Sequence, residues 1–395
     1  MSGTTRAALL TLAITAVIVA LAVSMRPTLS NSAEPARLAT TCPAPGQWHG
    51  AQGDRIAVDR LFQDLAQAEV VLLGESHDRM EHHRWQMHTL AALQAHRPDL
   101  IIGLEMLPRE AQPVLDAWVA GELSEAEFLS RTHWHTTWGF DPQLYLPILH
   151  FARLHRLPLV AINLDRSLVE RLAKEGWDAI PQDERFGITK PADATVAYKE
   201  YLTKILSTHP TGGDPAGIDR FVAAQLVWDR AMAAGLADAA KQGSLAVGIL
   251  GSGHLVHGYG VPHQLRDLGI FNVRSLMPWE AREDCVAPPP GTADALFGIA
   301  AGDLHEPPKP LMLGVRIENA PGGVRIQHVA SESVADQAGL VAGDLLTEVG
   351  GNPLVQTGDL VRQIRRQIPG SVLPLTVHRD GETLEILARF PGIPD

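Results

Sequence analysis

The chain has 395 residues, of which 45% are hydrophobic and 20% are charged. This length predicts two or three domains, and the apolar content excludes a disordered or collagen-like chain. The formal net charge is -12, so nucleic acid is not expected as the main partner, because phosphate binding needs a basic surface.

The N-terminal segment predicts export. Residues 7–25 are apolar and uncharged, and their length is close to the roughly 20 residues that a helix needs to cross a bilayer. A long signal peptide also fits, although no clear cleavage site follows. We predict an N-terminal signal or anchor helix with a spacer over residues 1–44, favouring an anchor, and a periplasmic or extracellular location. Lipidation is not expected, because Cys42 lies far beyond the apolar run.

Short apolar runs alternate with helical patterns between residues 45 and 300. The runs cover residues 70–74, 100–105, 157–164 and 245–251, with a weaker one at 271–276. Nearly continuous apolar runs of this length are typical of strands that are covered on both faces, as in a parallel sheet. The predicted fold class is therefore α/β, with a mostly parallel sheet and helices on both faces.

Helix starts can be predicted between these runs. Asp78 with Glu81, and Ser124 with Glu127, have the spacing of a capping box. Residues 220–241 form a long helical pattern.

Polar residues follow the carboxyl ends of the apolar runs. Glu75 and His77 follow the first run, Glu105 ends the second, and His254 follows the fourth. Ligands bind at the carboxyl ends of strands in open parallel sheets, so we expect these four side chains to form one site. Both histidines stand in a G-x-x-H sequence, whose glycine we attribute to a positive φ and a close approach of the backbone to a ligand.

These residues fit two kinds of chemistry. His77, Glu105 and His254 are candidate ligands of a divalent metal such as Mn, Zn or Co, which would activate water. Without a metal, a histidine beside a carboxylate is a candidate general base. The sequence contains neither H-E-x-x-H nor G-x-S-x-G. The aromatic stretch at residues 133–140 is a candidate pocket wall, with a core cluster as the alternative.

Cys42 and Cys285 are the two cysteines of the chain. They bracket the α/β segment, and in an exported protein they are candidates for a disulfide bond. Two unpaired thiols are the alternative.

Taken together, the motifs of residues 45–300 resemble the ChaN family of haem-binding uptake proteins, related to the Tiki, TraB and erythromycin-esterase-like proteins. The resemblance rests on VVLLGESH, the G-x-E that ends at Glu105, the helix start at Tyr145, LPLVAIN, WDRAMA and GSGHLVHGYGVP. It implies haem binding in iron uptake, with Tyr145 and Asp229 as candidate cofactor-binding residues. The wider clan implies instead a metal-dependent hydrolase, with catalysis by Glu75, His77, Glu105 and His254. Many ChaN members are lipoproteins, and this sequence departs from that pattern.

The C-terminal segment contains LMLGV at residues 311–315, VASESVADQAGLVAGDLLTEVGG at residues 329–351, and IPG followed by VLPLTVHRDG from residue 368. In this run of motifs it resembles a PDZ domain. It covers residues 311–392 and follows a Pro-rich linker at residues 301–310. Its carboxylate-binding loop would include Leu313, Gly314 and Val315. The resemblance implies a small β-rich domain that takes up a protein C-terminus as an additional strand. A packing module with an occluded groove is the alternative.

The sequence therefore predicts an exported, membrane-tethered ChaN-like protein that binds haem or another small molecule in iron uptake. One alternative is a metal-dependent hydrolase acting on peptides that the PDZ domain recruits. Another is a catalytically inactive scaffold. Expected partners are the small-molecule ligand, a protein C-terminus and, through the N-terminal helix, a membrane. Enzymatic activity and the oligomeric state stay open, with a homodimer among the alternatives.

Overall fold

The computed structural model describes residues 42–207, 215–282, 284–300 and 311–392. The chain divides into two compact units between residues 301 and 302. The apolar segment at residues 7–25 and the Pro-rich linker lie outside the described residues. Within the described ranges, no helix is long and apolar enough to cross a membrane.

The first unit contains an eight-stranded sheet in the order β2-β1-β8-β7-β3-β6-β4-β5. Neighbouring strands from β8 to β5 pair in parallel, whereas β1 and β2 add an antiparallel edge. The strands are β1 (Trp48–Gly50), β2 (Arg55–Ile56), β3 (Val70–Glu75), β4 (Leu100–Pro108), β5 (Leu159–Asn163), β6 (Leu245–Gly251), β7 (Val273–Ala281) and β8 (Ala295–Ala300).

Ten α-helices of this unit are described. They are α1 (Val58–Leu65), α2 (Met80–His96), α3 (Gln112–Ala120), α4 (Glu125–Arg131), α5 (Trp134–Thr137), α6 (Leu146–His155), α7 (Arg166–Glu175), α8 (Val196–Ser207), α9 (Pro215–Ala240) and α10 (Val261–Asp267). Apolar residues of α1, α2, α3 and α6 share one core with the sheet, and those of α9 and α10 share a second.

The first four residues of the central strand β3 are all apolar, and the fold explains this pattern. Val71 and Leu73 lie in the core with α1 and α2, whereas Val70 and Leu72 lie in the core with α9 and α10. All four are completely buried. Successive side chains of a strand point to opposite faces, so a strand that is covered on both faces needs an apolar residue at every position. The predicted α/β class is confirmed.

One of the two predicted capping boxes forms. The Ser124 backbone N–H donates to the Glu127 carboxylate, and the Ser124 hydroxyl accepts from the Glu127 N–H. The box predicted at Asp78 is wrong. Helix α2 begins at Met80, and Arg79 precedes it without a side-chain cap, because the chain first makes a turn in which Arg79 N–H donates to the Ser76 carbonyl.

The predicted disulfide between Cys42 and Cys285 is present, with Cα atoms 6.3 Å apart. Cys42 precedes β1, and Cys285 lies in the connection between β7 and β8. The bond therefore joins the segment before β1 to the connection between β7 and β8, near the antiparallel edge of the sheet.

The second unit is a small antiparallel sheet in the order β14-β13-β11-β10-β9, with β12 paired to β11. Its strands are β9 (Val315–Ala320), β10 (Gly323–Val329), β11 (Leu345–Val349), β12 (Asn352–Pro353), β13 (Val372–Arg379) and β14 (Glu382–Arg389). Two helices, α11 (Val334–Gln337) and α12 (Thr357–Arg365), contribute to its own apolar core. Among the described residues, β9 is an edge strand.

Candidate functional site

The four predicted site residues meet at one edge of the parallel sheet. Glu75 ends β3, His77 follows it, Glu105 lies in β4, and His254 lies in a 3-10 turn directly after β6. Because β6 pairs with both β3 and β4, their carboxyl ends lie side by side. Each of the four residues is at most 4% exposed.

His77 is held by the carboxylate of Glu75, the last residue of the strand that precedes it. His77 Nδ1 lies 2.5 Å from Glu75 Oε1, and His77 Nε2 lies 3.9 Å from Glu105 Oε1. Burial alone would lower the pKa of His77, but the charge and hydrogen bond of Glu75, with Glu105 nearby, raise it to about 9. His77 is therefore protonated at neutral pH.

The second histidine is held by a carboxylate from helix α9. His254 Nδ1 lies 2.7 Å from Asp229 Oδ1, and the Tyr198 hydroxyl donates to Asp229 Oδ2 at 2.8 Å. Burial opposes protonation of His254, but Glu105 and Asp229 together raise its pKa. Asp229 is completely buried, so it fixes the orientation of His254 and does not itself face the cavity.

Glu105 lies between the two histidines. Its Oε2 accepts the Gly251 backbone N–H at 2.5 Å, and its Oε1 lies 3.5 Å from His254 Nε2. The Nε2 atoms of His77 and His254 thus converge on one carboxylate oxygen. This arrangement can move protons, because two imidazoles flank a single carboxyl group.

Tyr145 lies behind the site and not in its cavity. Its side chain is completely buried, and its hydroxyl donates to Glu75 Oε1 at 3.3 Å. Burial and the neighbouring Glu75 hold the pKa of Tyr145 well above its usual value. This position does not support the prediction of Tyr145 as a haem ligand, because the hydroxyl contacts Glu75 and the residue does not line the cavity.

A cavity of ≈ 410 Å³ opens above the histidines and Glu105. This volume lies within the range of small-molecule pockets. His77, Glu105 and His254 contribute polar groups to it, and the exposed His133 and Arg166 also line it. Its apolar lining consists of Met106, Pro108, Trp138, Phe140, Leu164 and Trp228.

The aromatic stretch at residues 133–140 contributes both to the wall of the cavity and to the core, the two alternatives predicted for it. Trp138 and Phe140 line the cavity, with ring centroids 4.7 and 5.0 Å from the His77 ring. Trp134 is completely buried in the core, and its indole N–H donates to the Phe140 carbonyl.

The glycines of the two G-x-x-H turns have a different role from the predicted one. Gly251 has φ -62°, and Gly74 is not among the positive-φ glycines. A Cβ on Gly74 would lie 3.0 Å from both Met277 Cγ and Ser252 Oγ. The absence of a side chain at Gly74 therefore allows close packing against Met277 and against the turn that carries Ser252 and His254.

The predicted divalent-metal site is not supported. In the part of the chain that the structure describes, no group of three or more His, Cys, Asp or Glu residues is arranged to hold a metal ion.

Two features of the site were missed at the sequence level. Tyr198 belongs to no motif, and it reaches Asp229 across 31 residues of sequence. His83 is buried beside the site, and its Nε2 lies 3.2 Å from the His77 carbonyl. Arg166 was detectable, because it follows the third apolar run at the same sheet edge.

In the second unit, the predicted peptide-binding residues form the loop that leads into edge strand β9. Gly314 has φ +83°, and a Cβ there would collide with Ser333. The Leu313 and Gly314 carbonyls accept the N–H groups of Ala335 and Ala330, both at 2.8 Å. The loop is thereby fixed at one end of an edge strand that can accept a further strand.

Comparison with known families identifies both units. The family model described as haem-binding uptake, Tiki superfamily, ChaN matches residues 61–265, just over half of the chain. The PDZ domain model matches residues 312–388. A search of curated proteins found no match.

A solved structure agrees with the fold of the first unit. The structure "Cofacial heme binding to ChaN of Campylobacter jejuni" is 20% identical, with 63% of this chain and 95% of that chain covered and a TM-score of 0.52. The HtrA3 PDZ domain bound to a phage-derived ligand is 25% identical, covering 20% of this chain and 82% of that chain, with a TM-score of 0.18.

Proposed function

We propose that this chain, which belongs to the ChaN family of haem-binding uptake proteins in the Tiki superfamily, binds haem as cargo in the cavity above Glu105. The observation that carries the proposal is an apolar-walled cavity with cationic and imidazole side chains in its lining. Haem matches this combination, because it is a flat apolar ring with two carboxylates and an iron that takes histidine, tyrosine or methionine ligands.

The walls of the cavity suit the ring of haem. Trp138, Phe140 and Trp228 provide aromatic surface, and Met106 and Leu164 add aliphatic surface. Aromatic side chains favour offset or edge contacts with other flat rings. We therefore expect the porphyrin to pack against this wall.

Arg166 is the expected partner of a haem carboxylate. It is exposed at the N-terminus of α7 and lines the same cavity. An arginine–carboxylate pair is charge-assisted and can be bidentate. The carboxylates of haem would then lie toward solvent, with the ring in the apolar part of the cavity.

The cellular role that fits this cargo is iron uptake on the exported side of a membrane. The Cys42–Cys285 disulfide supports an oxidising compartment, and the apolar segment at residues 7–25 is the proposed tether. The PDZ domain would bind a protein C-terminus and so place the haem carrier beside a protein partner. No divalent metal belongs to this proposal.

Haem titration of the full-length protein in detergent tests the function. We expect ferric haem to bind with a shifted absorption band, and Arg166→Ala to bind about tenfold more weakly, as loss of a charged hydrogen bond predicts. Arg60→Ala is the control, because Arg60 is an exposed arginine of α1 outside the cavity. Absence of any spectral shift in the parent would reject the proposal.

A second candidate, hydrolysis by acid–base catalysis without a metal, is favoured by the convergence of His77 and His254 on Glu105. In this reading Glu105 takes a proton from water, and a protonated histidine donates one to the leaving group. A panel of peptides and esters, assayed after removal of metals, tests it. Activity must be present and must be lost in Glu105→Gln; chelator-sensitive activity would contradict the metal-free route.

A further inference from the structure

We propose, resting on the proposed function, that His133 is the axial ligand of the haem iron. His133 directly precedes helix α5 and lines the cavity. It is exposed, whereas the two histidines of the G-x-x-H turns are buried. The assignment replaces Tyr145, whose hydroxyl contacts Glu75 behind the cavity.

The shape of haem favours an exposed side chain as the ligand of its iron. The iron sits at the centre of a wide, flat macrocycle, so its ligand must stand clear of the neighbouring side chains. His77 and His254 are each 2% exposed, and Met106 is 3% exposed. The His77 ring also packs against Trp138 and Phe140. His133 lines the same cavity and is exposed, so it is the more accessible of these side chains.

The hydrogen bonds of the histidines also favour His133 as the ligand of the iron. His77 and His254 each have Nδ1 on a carboxylate and Nε2 facing Glu105. Among the described residues, the ring of His133 takes part in no hydrogen bond or ion pair; its backbone carbonyl accepts from Thr136. A ring nitrogen of His133 is therefore available for the iron, and histidine is a common haem ligand.

The backbone at His133 has an unusual conformation. Its φ is +49°, in the left-handed region that residues with side chains rarely adopt. Glycine takes this conformation without strain, yet histidine occupies the position. Strain of this kind concentrates at ligand-binding sites. Here it places an imidazole among the residues that line the cavity.

The full-length protein with ferric haem provides the test, read by absorption and, after reduction, by resonance Raman detection of the iron–histidine vibration. In His133→Gly we expect at least tenfold weaker haem binding and loss of that vibration, with the vibration restored by added imidazole. Thermal stability should match or exceed that of the parent, because glycine relieves the backbone strain, so unfolding cannot account for the loss. His88→Ala is the control, since His88 is exposed on α2 away from the cavity.

The outcomes separate this assignment from the proposed function. If the parent binds haem and His133→Gly keeps both affinity and vibration, the assignment is overturned and haem binding stands. If the vibration disappears instead in His77→Ala or His254→Ala, the assignment is also overturned. If the parent binds no haem, both proposals fail.

Discussion

At the scale of single residues, the protonation of His77 is coupled to folding. Its pKa is raised from 6.5 to about 9 in the folded protein. A raised pKa stabilises the fold fully below pH ~6.5, and this stabilisation is lost as the pH rises through 9. The shift corresponds to about 3 kcal/mol. We expect the free energy of unfolding to fall by this order between pH 6.5 and 9.5.

Denaturant unfolding at a series of pH values measures this effect. In His77→Gln the titrating group is absent, so this variant should show a smaller fall over the same interval, even though it is less stable overall. The difference between the two pH profiles isolates His77 from other titrating groups. Parallel profiles for parent and variant would contradict a protonated His77 in the folded state.

Tyr198 makes a second prediction at this scale. Its hydroxyl donates to Asp229 Oδ2, and both residues are buried. In Tyr198→Phe that carboxylate oxygen loses its partner, which should lower the free energy of unfolding by about 1–3 kcal/mol. Tyr201→Phe is the matched control, because the Tyr201 hydroxyl makes no hydrogen bond in the described part of the chain. Equal losses in the two variants would show that the hydroxyl of Tyr198 is not specifically needed.

At the scale of elements, the loop before β9 limits what the PDZ domain can bind. Gly314 has φ +83°, and any Cβ would collide with Ser333. We expect Gly314→Ala to weaken binding of C-terminal peptides at least tenfold, measured by fluorescence anisotropy with a library of such peptides. The loop must shift in this variant, and its shift moves the backbone N–H groups that would capture a carboxylate.

Gly339→Ala is the control that separates the effect of backbone strain from the effect of a steric collision. Gly339 has φ +81°, but nothing lies within 4 Å of the position its Cβ would take. This variant should lose stability through backbone strain and keep peptide affinity. If both variants bind peptide as the parent does, the loop is not the binding site.

The elements differ in how far their sequences predict them. Strands β3, β4 and β6 are predictable because both of their faces are covered, so nearly every position before the site residues is apolar. Strands β1 and β2 are only three and two residues long, which is too short for a periodic pattern. The predicted helix start at Asp78 failed because the turn that carries His77 occupies residues a capping box would need.

The features of the candidate site also differ in how far the sequence predicts them. Glu75, His77, Glu105 and His254 could be predicted because the ends of parallel strands are local features of the sequence. The contacts of Tyr145 and Tyr198 could not, because they join residues 70 and 31 positions apart. The protonation state of His77 could not be predicted from the sequence either. Its pKa depends on burial and, besides Glu75, on Glu105 from another strand.

At the scale of the whole molecule, the disulfide is a covalent constraint between residues far apart in the sequence. Cys42 and Cys285 are separated by 243 residues, so the bond closes most of the first unit into one loop. Closing a loop of this length reduces the entropy of the unfolded chain by an amount worth about 5 kcal/mol. Reduction of the bond should therefore lower the unfolding free energy of the first unit by up to this amount.

Denaturant unfolding with and without reductant, with thiols counted at each step, measures the contribution. The double variant Cys42→Ser with Cys285→Ser should match the reduced parent, and reductant should not affect it. The PDZ domain contains neither cysteine, so its own unfolding transition should not change in any of these samples. A parent with two free thiols and unchanged stability would contradict the prediction. It would also remove the disulfide as support for an oxidising compartment, because two free thiols are the usual state in a reducing compartment.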